Sequence, residues 1–181
     1  MKATGIVRRI DDLGRVVIPK EIRRTMRIRE GDPLEIYTDR EGEVILKKYS
    51  PIGELNEFAG DYAEAASKML GCTFVVTDTD QVIAVAGAPK KELMEKRIAK
   101  AVESTIHEKA SKLFTPEEHL ENITLEALEG NEYQTHMIVP IISQGDAIGS
   151  VILMKKDGSI QDAEKKAAEI GAHFLARQME N

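Results

Sequence analysis

Residues 11–24 read DDLGRVVIPKEIRR. Asp11-Asp12-Leu13-Gly14 has the chemistry of a turn, with Gly14 free to take positive φ. Val16-Val17-Ile18 is a β-branched run that suits a strand. Pro19 suits the first position of a helix, where its missing N–H costs nothing. Turn, strand and helix therefore follow one another within a single short stretch, and Arg15, Lys20, Arg23 and Arg24 decorate it.

Working outward, residues 4–10, TGIVRRI, read as a strand on the far side of the turn. KEIRRTM makes about two helical turns. On it Ile22 and Met26 share a face, while Arg23, Arg24 and Arg27 fan over the other. Gly31-Asp32 ends the segment. LEIYTD and EVILKK, joined by Arg40-Glu41-Gly42, then form a second hairpin. Arg40, Lys47 and Lys48 sit among acids and are expected to be ordinary surface.

Charge divides the chain. Residues 1–29 carry nine Lys and Arg against three Asp and Glu, on a protein of 181 residues with net charge −6. Residues 1–50 are net +3 and residues 51–181 net −9. A basic island on an acidic protein points to a polyanion held at one end. Double-stranded DNA is the natural candidate, because Arg on a rigid frame fits phosphates and guanine edges with two parallel hydrogen bonds. A solvated basic face is the plainer alternative. Arg8 shares strand parity with Ile6 and Ile10, which leaves a partly buried structural role open to it.

A unit of about 50 residues with no disulfide buries too small a fraction of its surface to stand alone. Val16, Val17 and Ile18 are consecutive, so both faces of that strand need cover. Both points predict an obligate dimer through residues 1–50.

Tyr49-Ser-Pro-Ile-Gly53 punctuates the chain. The spacing then predicts a helix to Gly71, with Leu55, Phe58, Ala59, Tyr62, Ala66, Met69 and Leu70 inward. FVVTDTD and QVIAVAG read as a hairpin over residues 78–80. A long helix follows Pro89 as far as about Leu113, with Met94, Ile98, Ala101, Val102, Thr105 and Ile106 inward. Thr115-Pro116-Glu117-Glu118 predicts a short helix, and residues 123–128 are weakly strand-like. HMIVPIIS and AIGSVILMKK are strands. Ser159 with Asp162 resembles a capping box before a last helix whose stripe is Ile160, Ala163, Ala167, Ile170, Phe174, Leu175 and Met179. The order from residue 52 is α-β-β-α-β-β-β-α. The two end helices, near 54–70 and 160–180, offer stripes through which dimers could pair into a tetramer.

No apolar run approaches the roughly 20 residues that span a bilayer, and MKATGIVRRI lacks a signal-peptide core. Cys72 is the single cysteine, which points to a reducing cytoplasm and a buried thiol. His107, His119, His136 and His173 are scattered without metal-ligand spacing. No phosphate-binding Gly loop is present. The chain therefore reads as a non-enzyme, with no metal and no cofactor.

The run TGIVRRIDDLGRVVIPKEIRRTMRIREGDPLEIYTDREGEVILKKY, with TGIVR, D-x-L-G-R-V-V-I-P and E-[IL]-R-R-T in order, resembles the DNA-binding domain of the AbrB-type transition-state regulators over residues 2–49. The resemblance implies a DNA-binding transcription regulator of the sporulation type, activating and repressing genes. It also implies a swapped-hairpin fold in which two chains interleave. The family's DNA-contacting arginines fall on Arg8, Arg15, Arg23 and Arg24, with Lys2 and Lys20 peripheral. Met26 stands where Leu is usual, a change of similar volume. The order of the second half resembles a GAF domain, whose effector pocket would lie between the sheet and the 90–113 helix. The same residues could equally fill a core.

The expected fold class is α+β. An N-terminal intertwined swapped-hairpin β dimer (1–50) leads through a linker (51–55) into a GAF-like α/β sandwich (56–181). The effector residues are unknown. An antitoxin-like protein-interaction module built on the same hairpin unit is the alternative function.

Overall fold

The computed structural model describes residues 5–49, 56–116, 122–126 and 133–180. The chain divides into two units, Met1–Tyr49 and Ser50–Asn181.

In the first unit the turn at Asp11 forms as its residues dictate. Gly14 takes φ +75°, its N–H donates to the Asp11 carbonyl, and the Asp11 N–H donates to the Arg15 carbonyl, both at 3.0 Å. The two arms of that turn do not become the expected strands: residues 5–19 make no ladder within the chain. Their apolar side chains stay in the open, Val7 at 87% and Val17 at 71% exposed, with Ile10, Leu13 and Val16 more than half exposed. Extended β-branched chain without a partner strand has nothing to pair with in a single copy.

Helix α1, Lys20–Met26, follows. Pro19 stands at its N-cap with ψ 149°, one position earlier than expected, and its carbonyl accepts the Arg23 N–H at 3.0 Å. The helix ends before Gly31, at Arg27, which takes the left-handed conformation with φ 53°. Strands β1, Leu34–Thr38, and β2, Val44–Lys48, pair antiparallel from Leu34 against Lys48 to Thr38 against Val44. Asp39 closes their turn by accepting the Glu41 and Glu43 N–H groups. Lys48 is no ordinary surface lysine. Its Nζ reaches the Arg27 carbonyl and Asp32 Oδ2, each at 3.5 Å, and so ties the hairpin to the end of α1.

In the second unit a five-stranded antiparallel sheet has the order β4-β3-β7-β6-β5. Its strands are β3, Thr73–Thr77; β4, Val82–Ala86; β5, Lys112–Phe114; β6, Thr135–Ser143; and β7, Asp146–Lys155. Helices α2, Asn56–Leu70, and α5, Asp162–Gln178, cover one face, and α3, Lys90–Leu93, with α4, Lys100–Glu108, lies on the other. The strands are apolar without alternation because both faces are buried. Phe74, Val76, Val151 and Leu153 face the α2–α5 layer, where Ala59, Ala63, Ala168, Ala172 and Leu175 meet them. Val75, Ile138 and Ile152 face the other layer, against Leu93, Ile98, Val102 and Ile106. Each such side chain contributes about 1.5–3 kcal/mol on burial.

Several expectations need correction. The long helix from Pro89 is broken. Glu95 takes φ 61° and its N–H donates to the Val82 carbonyl, while the Val82 N–H donates to the Lys96 carbonyl. The 94–98 segment thus pairs with the start of β4 and cannot remain helical. Helix α4 stops at Lys109, and the third strand is Lys112–Phe114, while among the described residues 123–126 only Thr124 bridges to Ile98. The capping box uses Gln161 and Glu164: the Gln161 N–H donates to Glu164 Oε2 at 2.6 Å. On α5 the buried positions are Glu164, Ala168, Gly171, Ala172, Leu175 and Ala176, so the true stripe is rotated and Ile170 points outward. Met69 on α2 is likewise exposed, as is Met94. The whole 51–55 linker, with Leu55, and the Glu117-Glu118 pair of the expected short helix lie outside the described residues.

Candidate nucleic-acid interface

Arg15 is held by its own turn. Asp11 Oδ1 accepts the N–H groups of Leu13 (3.0 Å) and Arg15 (2.8 Å), and Asp11 Oδ2 accepts Arg15 Nε at 2.8 Å. The backbone and guanidinium hydrogen bonds from Arg15 hold the Asp11 carboxyl below the usual carboxylate range. The guanidinium stays two-thirds exposed and still has donors to offer. In the sequence Asp11 reads as turn chemistry alone. Its second task, orienting Arg15, was signalled by an Asp and an Arg four residues apart across a glycine turn.

Arg15, Pro19 and α1 form one continuous arm, so Arg15, Arg23 and Arg24 are carried together. Arg23 is half-buried and Arg24 exposed on the helix. The Arg23 carbonyl accepts the Ile28 N–H at 2.8 Å, and Ile28 is the buried apolar residue that anchors the helix end. Arg8 lies on the opposite arm of the turn and is exposed, as are Arg9 and Lys20. Lys2 lies outside the described residues. The exposure of Arg8 removes the partly buried role from this single-chain structure.

Among the described residues of the second unit, one buried side-chain polar atom lacks a hydrogen-bond partner. His136, 2% exposed on β6, has its Nε2 buried and unbonded. Its ring lies against Phe114, with centroids 4.7 Å apart and planes tilted by 34°. Burial pushes the imidazole pKa down to about 4, so it is neutral near pH 7. His136 pairs across the ladder with Met154 and Phe114, on the face that α4 covers. A depression of about 300 Å³ lies elsewhere, beside α5, with Lys109, Ser111, Val139 and His173 in its wall. His107 and His173 are exposed, and His119 lies outside the described residues. Among the described residues no helix is long and apolar enough to cross a membrane.

Cys72 is buried as expected, with its Sγ 3.4 Å from Glu164 Oε1. Burial, reinforced by the Glu164 carboxylate, pushes the thiol pKa up to about 11. It is therefore a protonated structural group rather than a nucleophile.

A family model described as stage V sporulation protein T C-terminal, transcription factor, matches residues 54–180. A second, described as antidote-toxin recognition MazE, bacterial antitoxin, matches residues 7–54. The chain is 52% identical over 180 residues to stage V sporulation protein T of Bacillus subtilis (strain 168), covering 99% of each. It is 49% identical over 77 residues to the transition state regulatory protein AbrB of the same organism, covering 42% of this chain and 78% of that one. Among solved structures, the GAF domain from an Acinetobacter phosphoenolpyruvate-protein phosphotransferase aligns at TM-score 0.59 and 11% identity, over 72% of this chain and 88% of that one, a likeness of fold alone. With an AbrB-type DNA-binding unit ahead of a GAF-like α+β unit, the chain belongs to the stage V sporulation protein T family of sporulation transcription regulators.

Proposed function

We propose that the first unit reads double-stranded DNA as an interleaved dimer, with Arg8, Arg15, Arg23 and Arg24 of each chain as its contacts. The carrying observation is the Asp11–Arg15 pair, which preorganises one guanidinium beside a helix that presents two more. The open apolar faces of residues 6–17 support the pairing, since a second copy's strands would cover them and complete the ladders. DNA footprinting with the full chain tests this. Arg15→Ala and Arg23→Ala should each weaken binding at least about tenfold, the value of one lost bidentate contact, with unchanged circular dichroism and oligomer size. Unchanged affinity at low salt would overturn it. We place the protein in the cytoplasm and assign it no catalysis.

The second unit reads best as the part that tunes or assembles this DNA reader. On its outer helical face Phe58 and Phe174 meet edge-on, with centroids 6.4 Å apart, and Met69 of α2 and Ile170 of α5 are also exposed. These residues fit a second copy of the same face, which would join dimers into a tetramer through α2 and α5. A small effector bearing an N–H or O–H donor would relieve the unbonded His136 Nε2. Nuclear magnetic resonance of the His136 ring nitrogens during titration with candidate effectors tests that assignment. An antitoxin-like clasp would instead need an extra segment free to wrap a protein partner, and the described residues from 56 onward are built into sheet and helices.

A further inference from the structure

The second unit is acidic, yet Lys90, Lys91, Lys96, Arg97 and Lys100 stand together in one short stretch with only Glu92 and Glu95 among them. The basic residues elsewhere in the unit are mostly engaged. Lys109 pairs with Asp146, Lys112 with Glu108, Lys155 with Glu164, Lys165 with Asp162 and Lys166 with Glu169. Within the stretch, Lys96 pairs with Glu126. Lys90, Lys91, Arg97 and Lys100 make no ion pair with any described residue, and all four are exposed.

The local fold explains their placement but not their chemistry. Lys90 and Lys91 open α3, Arg97 bridges to Gln81, and Lys100 opens α4. Helix α3 packs on β4, an edge strand of the sheet, and Arg97 bridges to Gln81 just ahead of it, while Lys100 begins the helix that packs on β6 and β7. Charged side chains often guard such an edge against aggregation. Here the start of β4 is already closed by backbone, through Val82 with Glu95 and Lys96 and through Ile98 with Asp80. That end of the edge therefore does not depend on the cations for protection. In an acid-rich unit, exposed cations gathered in one short stretch, with no ion pair to a described residue, mark a surface complementary to an external polyanion.

We propose that Lys90, Lys91, Arg97 and Lys100 form a second DNA-contacting ridge, which binds the phosphates of duplex flanking the site held by the first unit. The ridge carries no sequence information. It adds counterion-release affinity, lengthens the footprint, and gives the acidic second unit a direct hold on DNA. The inference rests on the DNA reader described above, which supplies the duplex.

The test uses the full chain and two duplexes, one that just covers the first unit's footprint and one that extends it on both sides. The wild type should bind the longer duplex more tightly. The quadruple variant Lys90→Gln, Lys91→Gln, Arg97→Gln, Lys100→Gln should lose that gain, about tenfold or more. Its slope of log affinity against log salt on the long duplex should be shallower by about seven, for the four cations lost from each chain of the dimer. Its binding to the short duplex, its circular dichroism and its oligomer size should match the wild type. No length gain in the wild type, an undiminished gain in the variant, or equal losses on both duplexes would overturn the ridge. A gain retained on DNA together with lost binding to an acidic protein would also overturn it. Arg15→Ala serves as the control: if it leaves short-duplex binding intact, the first unit's DNA reading fails instead.

Discussion

Tyr62 of α2 occupies the space that a side chain at Gly171 of α5 would need. A Cβ on Gly171 would lie 2.0 Å from Tyr62 Cζ and 2.4 Å from its hydroxyl oxygen. The hydroxyl donates to the Ala167 carbonyl at 2.8 Å, and the ring meets Phe74 edge-on at 5.9 Å. Tyr62 thereby locks the two helices of one layer to each other and to the sheet.

Gly171→Ala sets two effects against each other. Alanine gains about 1 kcal/mol of helix propensity over glycine. Overpacking against a fixed ring costs about 1–3 kcal/mol, and a 2.0 Å approach belongs at the upper end. The expected result is a net loss of about 1–2 kcal/mol in urea unfolding of the full chain. Tyr62→Ala in the same chain should relieve the clash, so that the double variant is less destabilised than the sum of the single ones. An additive cycle would show that the helices slide apart instead.

Acid should weaken the fold through His136. Its pKa falls from the ordinary 6.5 to about 4 in the folded protein. Between those values the unfolded chain binds a proton that the folded chain refuses, so stability drops as pH is lowered through this window, by at most about 3 kcal/mol near pH 4. His136→Phe removes the titration and the unbonded nitrogen while keeping a ring against Phe114. It should unfold at a higher temperature than wild type, and the difference should widen from pH 7 to pH 4.5. A difference independent of pH would place the stabilisation in packing alone.

Asp11→Asn keeps an acceptor for the turn but removes the charge that holds Arg15. It also deletes a negative charge where DNA would lie. Binding to random duplex at low salt should therefore rise a few-fold, while the ratio of specific to random binding falls. Competition binding with both duplexes measures this; an unchanged ratio would show that Asp11 does not orient Arg15 on DNA.

Val17→Asp puts a charge on an arm that is 71% exposed in the single chain. A lone unit would tolerate it at little cost. In the interleaved dimer the same charge would be buried without a partner, which is prohibitive. Sedimentation should show smaller particles and DNA binding should vanish, while the near-ultraviolet signal of the second unit's tyrosines persists.

The first unit's turn and helix were legible because their signals are local: a glycine at positive φ and a proline before a helix. Local signals do not reveal that the arms stay unpaired in one chain, although the consecutive Val16, Val17 and Ile18 already ask for cover that these arms lack. In the second unit the strand runs and end helices were plain from apolar periodicity. The 89–113 segment misled because Met94, Ile98, Val102 and Ile106 keep a helical spacing that the structure breaks at Glu95, where hydrogen bonds to Val82 outweigh propensity. The face of α5 misled because a carboxylate is inside it. Glu164 is buried between Lys155 at 2.8 Å and Cys72, and burial pushes its pKa up less than those two partners and the Gln161 N–H pull it down. A charged residue fitted to the core by its partners is invisible to a rule that reads only apolar spacing. Arg8, Arg15, Arg23 and Arg24 stand out as proposed DNA contacts from the motif alone, but the brace of Asp11 on Arg15 shows only in the folded turn.

The uncovered arm from Gly5 to Ile18 has a consequence for how the protein responds to its own abundance. On the proposed pairing, the folded DNA reader is the product of two chains meeting. At low concentration its amount grows with the square of the chain number, and each bound site further draws chains into pairs. A modest rise in synthesis would then be converted into a sharper rise in promoter occupancy, so dosage itself becomes an input, independent of anything the second unit senses.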